Sequence, residues 1–266
     1  MQELGKMYKI GFIGSGKVAT ALAKAFHNNG LQVLQIYSPN KDNARKLASS
    51  VNAKAIISIE EFDNNIDFII VSITDTALLK LDFSEINSST LICHTSGSVS
   101  MDVFDKFENF GVFYPLQTFS NQRELDFGKI PICIEANRKT NTTKLLDLGN
   151  YISNSVQEID STKRSILHLA AVFVCNFTNA MYSIGENILD KSDISFDLLR
   201  PLIEETARKV QDHSPNEVQT GPALRNDQEI MNKHKKSLNN FSNYAEIYEL
   251  ISDIITDNKD KNNEKL

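Results

Sequence analysis

The sequence predicts an α/β fold, a doubly wound parallel sheet followed by an all-helical domain. A strand, a glycine turn and a helix start follow one another at residues 10–23. Short apolar runs then alternate with helical segments of roughly ten residues up to about residue 160, as right-handed crossovers in a parallel sheet require. Beyond that point no strand period remains.

The chain has 266 residues, enough for one large or two ordinary domains with full cores. Its 41% hydrophobic and 23% charged content is that of a soluble globular protein. A net charge of −6 lacks the basic stripe that nucleic-acid binding needs, so no nucleic-acid partner is expected. The opening residues Met1–Lys6 carry no apolar core of signal-peptide length. The longest apolar run, Ile166 to Cys175, is interrupted by His168 and is too short to span a bilayer, so no membrane association is expected. Cys93, Cys133 and Cys175 are odd in number and far apart, which fits neither a disulfide framework nor a metal site. Buried reduced thiols and a cytoplasmic location follow.

Ile10, Phe12 and Ile13 form the first strand, which breaks at Gly14-Ser15-Gly16 and resumes as helix at Val18-Ala19-Thr20-Ala21-Leu22-Ala23. The spacing Gly14-x-Gly16-x-x-Ala19 is the dinucleotide-binding fingerprint of a Rossmann-type sheet, with alanine in the last place. Gly14 permits the tight turn, Gly16 lets backbone approach a pyrophosphate, and Ala19 lets helix pack on strand. Bare amides at the helix start attract phosphate, so Gly14, Ser15, Gly16, Lys17 and Val18 are the expected cofactor contacts. A helix at 19–29 closes at Asn29-Gly30. A strand at 31–37, a helix at 41–51, a weaker strand at 54–57 and a helical piece at 60–62 follow. The run at 67–73 is apolar after its first residue, as a strand covered on both faces should be. Segment 90–94 repeats that character, and 112–114 and 132–135 are shorter strands. One long helix at 165–189 and helices at 196–212, 227–238 and 244–256 complete the chain. The expected domains are 1–160 for nucleotide binding, 161–256 for substrate and dimer contacts, and a polar, frayed tail at 257–266.

Ligands of a doubly wound sheet lie outside the carboxyl ends of its strands. Ser38, Asn40 and Lys41 after the second strand, and Ser72 and Thr74 after the strand at 67–73, are therefore further cofactor candidates. No acid occurs from Ile36 to Lys41, where NAD enzymes place one for the ribose hydroxyls. Serine, asparagine and lysine, with Arg45 a turn onward, can donate to a 2′-phosphate, so NADP is favoured and NAD stays possible. An ordinary turn followed by a solvated helix face is the competing reading of Lys41 and Arg45. Asp75 is expected as a helix N-cap. His94 is either a proton donor or a satisfied histidine at a strand end.

On the long helix, a constant 100° per residue puts His168, Asn179 and Glu186 in one narrow band, with Asn176 and Ser183 beside it. That polar stripe is either an internal network or, at His168 and Asn176, part of a reaction site. In the turn Thr220–Asp227, Arg225 offers a fork for a carboxylate, on the substrate or on Asp227. A helix apolar on almost every face also points to a covering subunit, hence a homodimer through the helical domain.

Together these clusters resemble an oxidoreductase family with a Rossmann-like first domain and a C-terminal domain of unknown function. Its relatives include pyrroline-5-carboxylate reductase, NADP oxidoreductases and proteins with a helical domain like that of 6-phosphogluconate dehydrogenase. The resemblance covers Ile10 to about Ile255. It rests on the glycine fingerprint, His94-Thr95-Ser96-Gly97, Tyr114-Pro115-Leu116-Gln117-Thr118-Phe119, His168 with Asn176, and Thr220-Gly221-Pro222-x-x-Arg225-x-Asp227. It implies NAD(P) binding by the first domain, dimerisation through the second, and a substrate near His94-Thr95-Ser96-Gly97. Tyr114 stands where the family often has histidine, and Pro39 where it often has arginine. The expected activity is hydride transfer between a nicotinamide cofactor and a small carbonyl or imine compound such as a keto acid or cyclic imino acid. His168, His94 and Asn176 are the catalytic candidates, and Ser96, Gly97 and Arg225 the substrate contacts. The competing expectation is a non-catalytic NADP-binding regulatory or scaffolding protein.

Overall fold

Burial on both faces of the strands organises the first part of the chain. In β1 (Lys9–Ile13), β4 (Phe68–Val71) and β5 (Leu91–His94) nearly every side chain is buried. Alternate residues point to opposite faces. Phe12, Phe68, Ile70 and Cys93 therefore join one core, while Ile13, Ile69, Val71 and Ile92 join the other. The structure is a computed structural model that describes residues 8–120 and 125–263. The chain divides into two compact units, residues 1–176 and 177–266.

The first unit holds an eight-stranded sheet in the order β3-β2-β1-β4-β5-β6-β7-β8. The remaining strands are β2 (Gln32–Tyr37), β3 (Lys54–Ile56), β6 (Phe110–Pro115), β7 (Ile132–Ala136) and β8 (Val156–Glu158). Helix α1 (Lys17–Asn28) buries Ala19, Leu22, Ala23 and Phe26, the i, i+3, i+4, i+7 spacing of one apolar stripe. It ends at Asn29, and Gly30 takes the positive φ that ends many helices. Helix α2 (Lys41–Ser50) buries Ala44, Leu47 and Ala48. Strand order reverses between β1 and β4, the switch point where such sheets open a crevice.

The predicted doubly wound sheet is present, with one difference. Strands β6 and β7 are antiparallel, whereas every other neighbouring pair is parallel. A parallel pair needs a crossover, usually a helix. Between β6 and β7 the described residues hold only a 3₁₀ turn at Phe127–Lys129. The single-turn helix α3 (Asp75–Leu78) lies where a capped helix start was expected, while two further elements escaped the apolar pattern: α4 (Lys139–Asn150) and the edge strand β8.

The long helix is not uniform. It runs as α5 (Ser161–Ala171), a π-helical stretch at Val172–Phe177, and α6 (Thr178–Asp190). A π turn takes more residues than an α turn, so the constant phase behind the polar stripe does not carry through. By length and composition, Ser161–Asp190 would suffice to cross a membrane, with a mean hydropathy of 1.3 in its most apolar window and none of that window buried. The ten-residue limit drawn from Ile166 to Cys175 therefore does not hold for the whole helix.

In the second unit, a 3₁₀ turn at Phe196–Leu199 leads into α7 (Arg200–Asp212), whose first turn contains Pro201. Helices α8 (Gln228–Ser237) and α9 (Ser242–Asn263) follow, joined by a hydrogen bond between His234 Nδ1 and Tyr248 Oη at 2.9 Å. Because α9 runs to Asn263, the tail expected to fray from residue 257 is helical through that point; residues 264–266 lie outside the described residues, as do 1–6.

Gly111 marks how tightly β6 and β7 meet: a Cβ there would lie 2.2 Å from the Glu135 carbonyl oxygen. Gly111→Ala should lower stability by about 1–3 kcal/mol, the usual cost of overpacking, as measured by urea unfolding.

Candidate active site

The turn after β1 is built for close approach. Gly14 has φ +111°, its N–H donates to the Tyr37 carbonyl at 2.8 Å, and a Cβ on it would meet the Ser72 carbonyl oxygen at 2.2 Å. At Gly16 a Cβ would point into open space, with no atom within 4 Å. No side chain caps α1, so the amides of its first turn, at Lys17 and Val18, remain available to an anion. A bare helix start, a strained turn and an unfilled cradle fit a dinucleotide pyrophosphate.

Hydroxyls link the neighbouring strand ends. Ser15 Oγ donates to Ser38 Oγ at 2.9 Å, and Thr95 Oγ1 to Ser72 Oγ at 3.2 Å; Ser38 and Ser72 are buried. Two predicted cofactor contacts also have a structural task. Asn40 Oδ1 accepts from Asn43 N–H to cap α2, and Thr74 Oγ1 accepts from Ala77 N–H to cap α3. Thr74 thus takes the capping position expected of Asp75, whose carboxylate accepts from Ser98 Oγ at 2.7 Å. Lys41 is exposed, and Arg45 pairs with Asp42 at 3.4 Å on the surface.

His94 is completely buried at the end of β5. Ser96 N–H donates to its Nδ1 at 3.2 Å, which leaves Nε2 to donate to the Ser100 carbonyl at 3.3 Å. Burial pushes the ring down to about 4, with Arg164 acting in the same direction. Both ring nitrogens are thus occupied by the ring's own loop, the satisfied histidine of the two alternatives. Ser96 also serves this loop, its Oγ accepting from Ser98 and Val99 N–H.

His168, on α5, is half-buried and meets the site from the other side. Its Nδ1 lies 3.0 Å from Tyr114 Oη. Gly97 abuts the same ring, because a Cβ at 97 would lie 2.6 Å from His168 Cγ and Nδ1. Burial raises the Tyr114 phenol to about 12; Cys133 adds to the rise and Arg164 opposes it. A phenol protonated at neutral pH can donate to Nδ1, which leaves the imidazole proton on Nε2. The sequence marks Tyr114 as the first residue of the Tyr-Pro-Leu-Gln motif and as a departure from histidine, but carries no sign of its pairing with His168.

One turn before His168 lies Arg164, 1% exposed. Its Nη1 donates to Glu135 Oε2 at 2.5 Å, and its Nη2 to the Val99 carbonyl at 2.6 Å and Ser161 Oγ at 3.0 Å. Ser161 Oγ in turn donates to Glu135 Oε2 at 2.6 Å and accepts from Met101 N–H at 3.2 Å. Sequence reading found neither Arg164 nor Glu135. Asn176, in the π-helical stretch, is exposed.

The helical unit has features of its own. A cavity of about 460 Å³ is lined by Asn179, Tyr182, Ser183, Glu186, Arg200 and Glu204, among others. Arg225 is exposed, and its anticipated pairing with Asp227 is not made: Asp227 Oδ1 accepts from Ile230 N–H and caps α8. Among the described residues no three His, Cys, Asp or Glu side chains gather as metal ligands.

Two family models match the chain. Residues 9–88 match the model described as NADP oxidoreductase coenzyme F420-dependent, and residues 130–255 a domain of unknown function, DUF2520. A solved candidate NADP oxidoreductase from Bacteroides fragilis is 40% identical, over 94% of this chain and 98% of its own, with a TM-score of 0.89. The fold is shared at lower identity with two enzymes. An imine reductase from Myxococcus stipitatus, solved in complex with NADP+, is 16% identical over 94% of this chain and 92% of its own, at a TM-score of 0.60. A 1-pyrroline-5-carboxylate reductase from Streptococcus pyogenes is 14% identical over 94% and 98%, also at 0.60. No protein of curated function matches the chain.

The low proton affinity of His94 has a measurable consequence. A histidine whose folded pKa lies below its unfolded value of about 6.5 costs stability as pH falls from that value to the folded one, because only the unfolded chain takes up the proton. Between pH 7 and pH 5 this should remove about 2 kcal/mol. Urea unfolding at the two pH values should show that loss in the wild type and a smaller one in His94→Asn.

Proposed function

The chain belongs to the NADP oxidoreductase family that includes the Bacteroides fragilis protein, and on that premise we propose that it is an NADPH-dependent reductase of small carbonyl or imine compounds. One observation carries the reading: a histidine and a buried tyrosine are hydrogen-bonded at 3.0 Å in the same unit as an uncapped glycine-turn helix. Gly14, Ser15, Gly16, Lys17 and Val18 would hold the pyrophosphate of NADP. Ser38 and Lys41, with no acid at the end of β2, would receive the 2′-phosphate. The cofactor, when bound, supplies the hydride.

The protein's own part is to place a proton. Tyr114 keeps its phenolic proton at neutral pH and donates to His168 Nδ1, so the ring offers the Nε2 proton to a substrate nitrogen or oxygen as charge develops there. Gly97 lies against the ring, leaving no room for a side chain beside Cγ and Nδ1. His94 shapes the loop that carries Gly97 and Ser96 and stays neutral. Ser96 and Asn176 are offered as substrate contacts, and Arg225 as the cation for a substrate carboxylate. The imine reductase and pyrroline-carboxylate reductase that share the fold support C=N compounds as the first substrates to try.

A homodimer is part of the same reading. Phe173 and Val174 in the first unit, and Leu198 and Leu202 in the second, are each at least 60% exposed, apolar side chains that a neighbouring subunit would cover. A second copy suits the exposed Phe173 and Val174 better than a bilayer does, because Ser161, Arg164 and His168 on the preceding helix α5 are bonded to sheet and loop residues. Cys93 and Cys133 are the buried free thiols expected, whereas Cys175 is only partly buried; free thiols suit a reducing, cytoplasmic compartment.

Fluorescence titration should show NADPH binding, and NADPH oxidation should follow with at least one member of a panel of cyclic imines and 2-keto acids. Tyr114→Phe and His168→Ala should lower kcat by about 10²–10⁴-fold in the histidine variant, the usual share of a general acid, and less in the tyrosine one, with NADPH affinity unchanged. Binding without turnover across the panel would favour the regulatory alternative. Light scattering should give twice the monomer mass.

A further inference from the structure

We propose that Arg164 is a positioning residue that sets the Tyr114–His168 geometry through Glu135, Ser161 and the Val99 carbonyl. The inference rests on the reading of that pair as the proton-handling group, and it identifies what holds the pair in register. Three elements meet at one guanidinium. Helix α5 contributes Arg164 and, one turn on and on the same face, His168. Strand β7 contributes Glu135, paired across the ladder with Val112, while Cys133 pairs with Tyr114. Side chains two residues apart on a strand share a face, so Glu135 and Tyr114 issue from the same side of the β6–β7 ribbon. The loop after β5 contributes the Val99 carbonyl to Arg164 and the Met101 N–H to Ser161, and the Gly97 that backs the His168 ring lies between that anchor and His94.

The network therefore fixes both neighbours of the imidazole, Tyr114 and Gly97. Glu135 and Arg164 relate α5 to the strand pair that carries Tyr114, and Arg164 with Ser161 relates α5 to the loop that carries Gly97. Leu167 packs beside Val112, Tyr114 and Cys133 and fills the apolar space between these polar anchors. The groups bearing on Tyr114 are Cys133 from β7 and Arg164 and His168 from α5; His94 also feels Arg164. Arginine suits the task because its planar fork can hold a carboxylate and a carbonyl together, whereas a lysine is a point donor.

The test is a double-mutant cycle read by NMR on the full-length protein with ¹⁵N-labelled histidine. In the wild type, Tyr114→Phe should move the ¹⁵N chemical shift of His168 Nδ1 at neutral pH, because the hydrogen bond to that ring nitrogen is lost. In the Arg164→Met background the same substitution should move it by less than a third as much, and in Arg164→Lys by an intermediate amount. A Tyr114→Phe shift of wild-type size in Arg164→Met overturns the proposal. If that variant does not fold, a wild-type-sized shift in Arg164→Lys overturns it and a reduced one supports it. NADPH affinity should stay within about twofold throughout, since no pyrophosphate contact is touched. This readout needs no turnover: a failed substrate panel removes the catalytic reading alone, and an unaltered cycle removes the positioning role alone.

Discussion

The contact between Arg164 and Glu135 is the constraint on which the rest of the site depends. An arginine and a carboxylate withdrawn from water recover their solvation only through good geometry and further hydrogen bonds. Here the carboxylate accepts from Arg164 and Ser161, and the guanidinium also reaches a backbone carbonyl. The accounting is incomplete at one atom, since Arg164 Nε has no hydrogen-bond partner among the described residues. Removing one member of such a pair costs about 3–5 kcal/mol, while apolar replacement of both is often harmless to stability. Stability alone therefore does not explain a buried ion pair here, whereas the fixing of one helix against two sheet elements does.

The antiparallel pairing of β6 and β7 makes this arrangement possible. It sets Val112 opposite Glu135 and Tyr114 opposite Cys133, so an ionic anchor and a phenol come from one face of one ribbon. Core packing alone does not demand that direction, because the apolar residues of both strands would be covered in either sense. The reversal is where the fold departs from a uniform parallel sheet, and it is also where the chemistry-bearing side chains gather.

The legibility of the sequence follows from the same physics. Buried strands such as 67–73 declare themselves because covering both faces demands an unbroken apolar run. Gly14 declares itself because a positive φ and a Cβ position blocked by the Ser72 carbonyl restrict the residue type. Strand direction leaves no such mark, so β7 was legible as a strand but not as an antiparallel one. The π-helical stretch at Val172–Phe177 was invisible because phase counting assumes a uniform helix. At strand ends, Asn40 and Thr74 are ambiguous by nature, since the same polar side chain can contact a ligand or cap the next helix. Arg164 and Glu135 were missed because a charged residue in an amphipathic segment reads as solvated until a partner far along the chain is known.

Gly97 shows how the weakness of such a centre can lie in an absent atom. The imidazole of His168 fills the volume that any side chain at 97 would claim. Loop and helix thus share one allotment of space, and neither can drift in sequence without the other yielding. A methyl group there would displace the histidine ring while leaving every other side chain in place, so a comparison of residue types alone would declare a rearranged site intact.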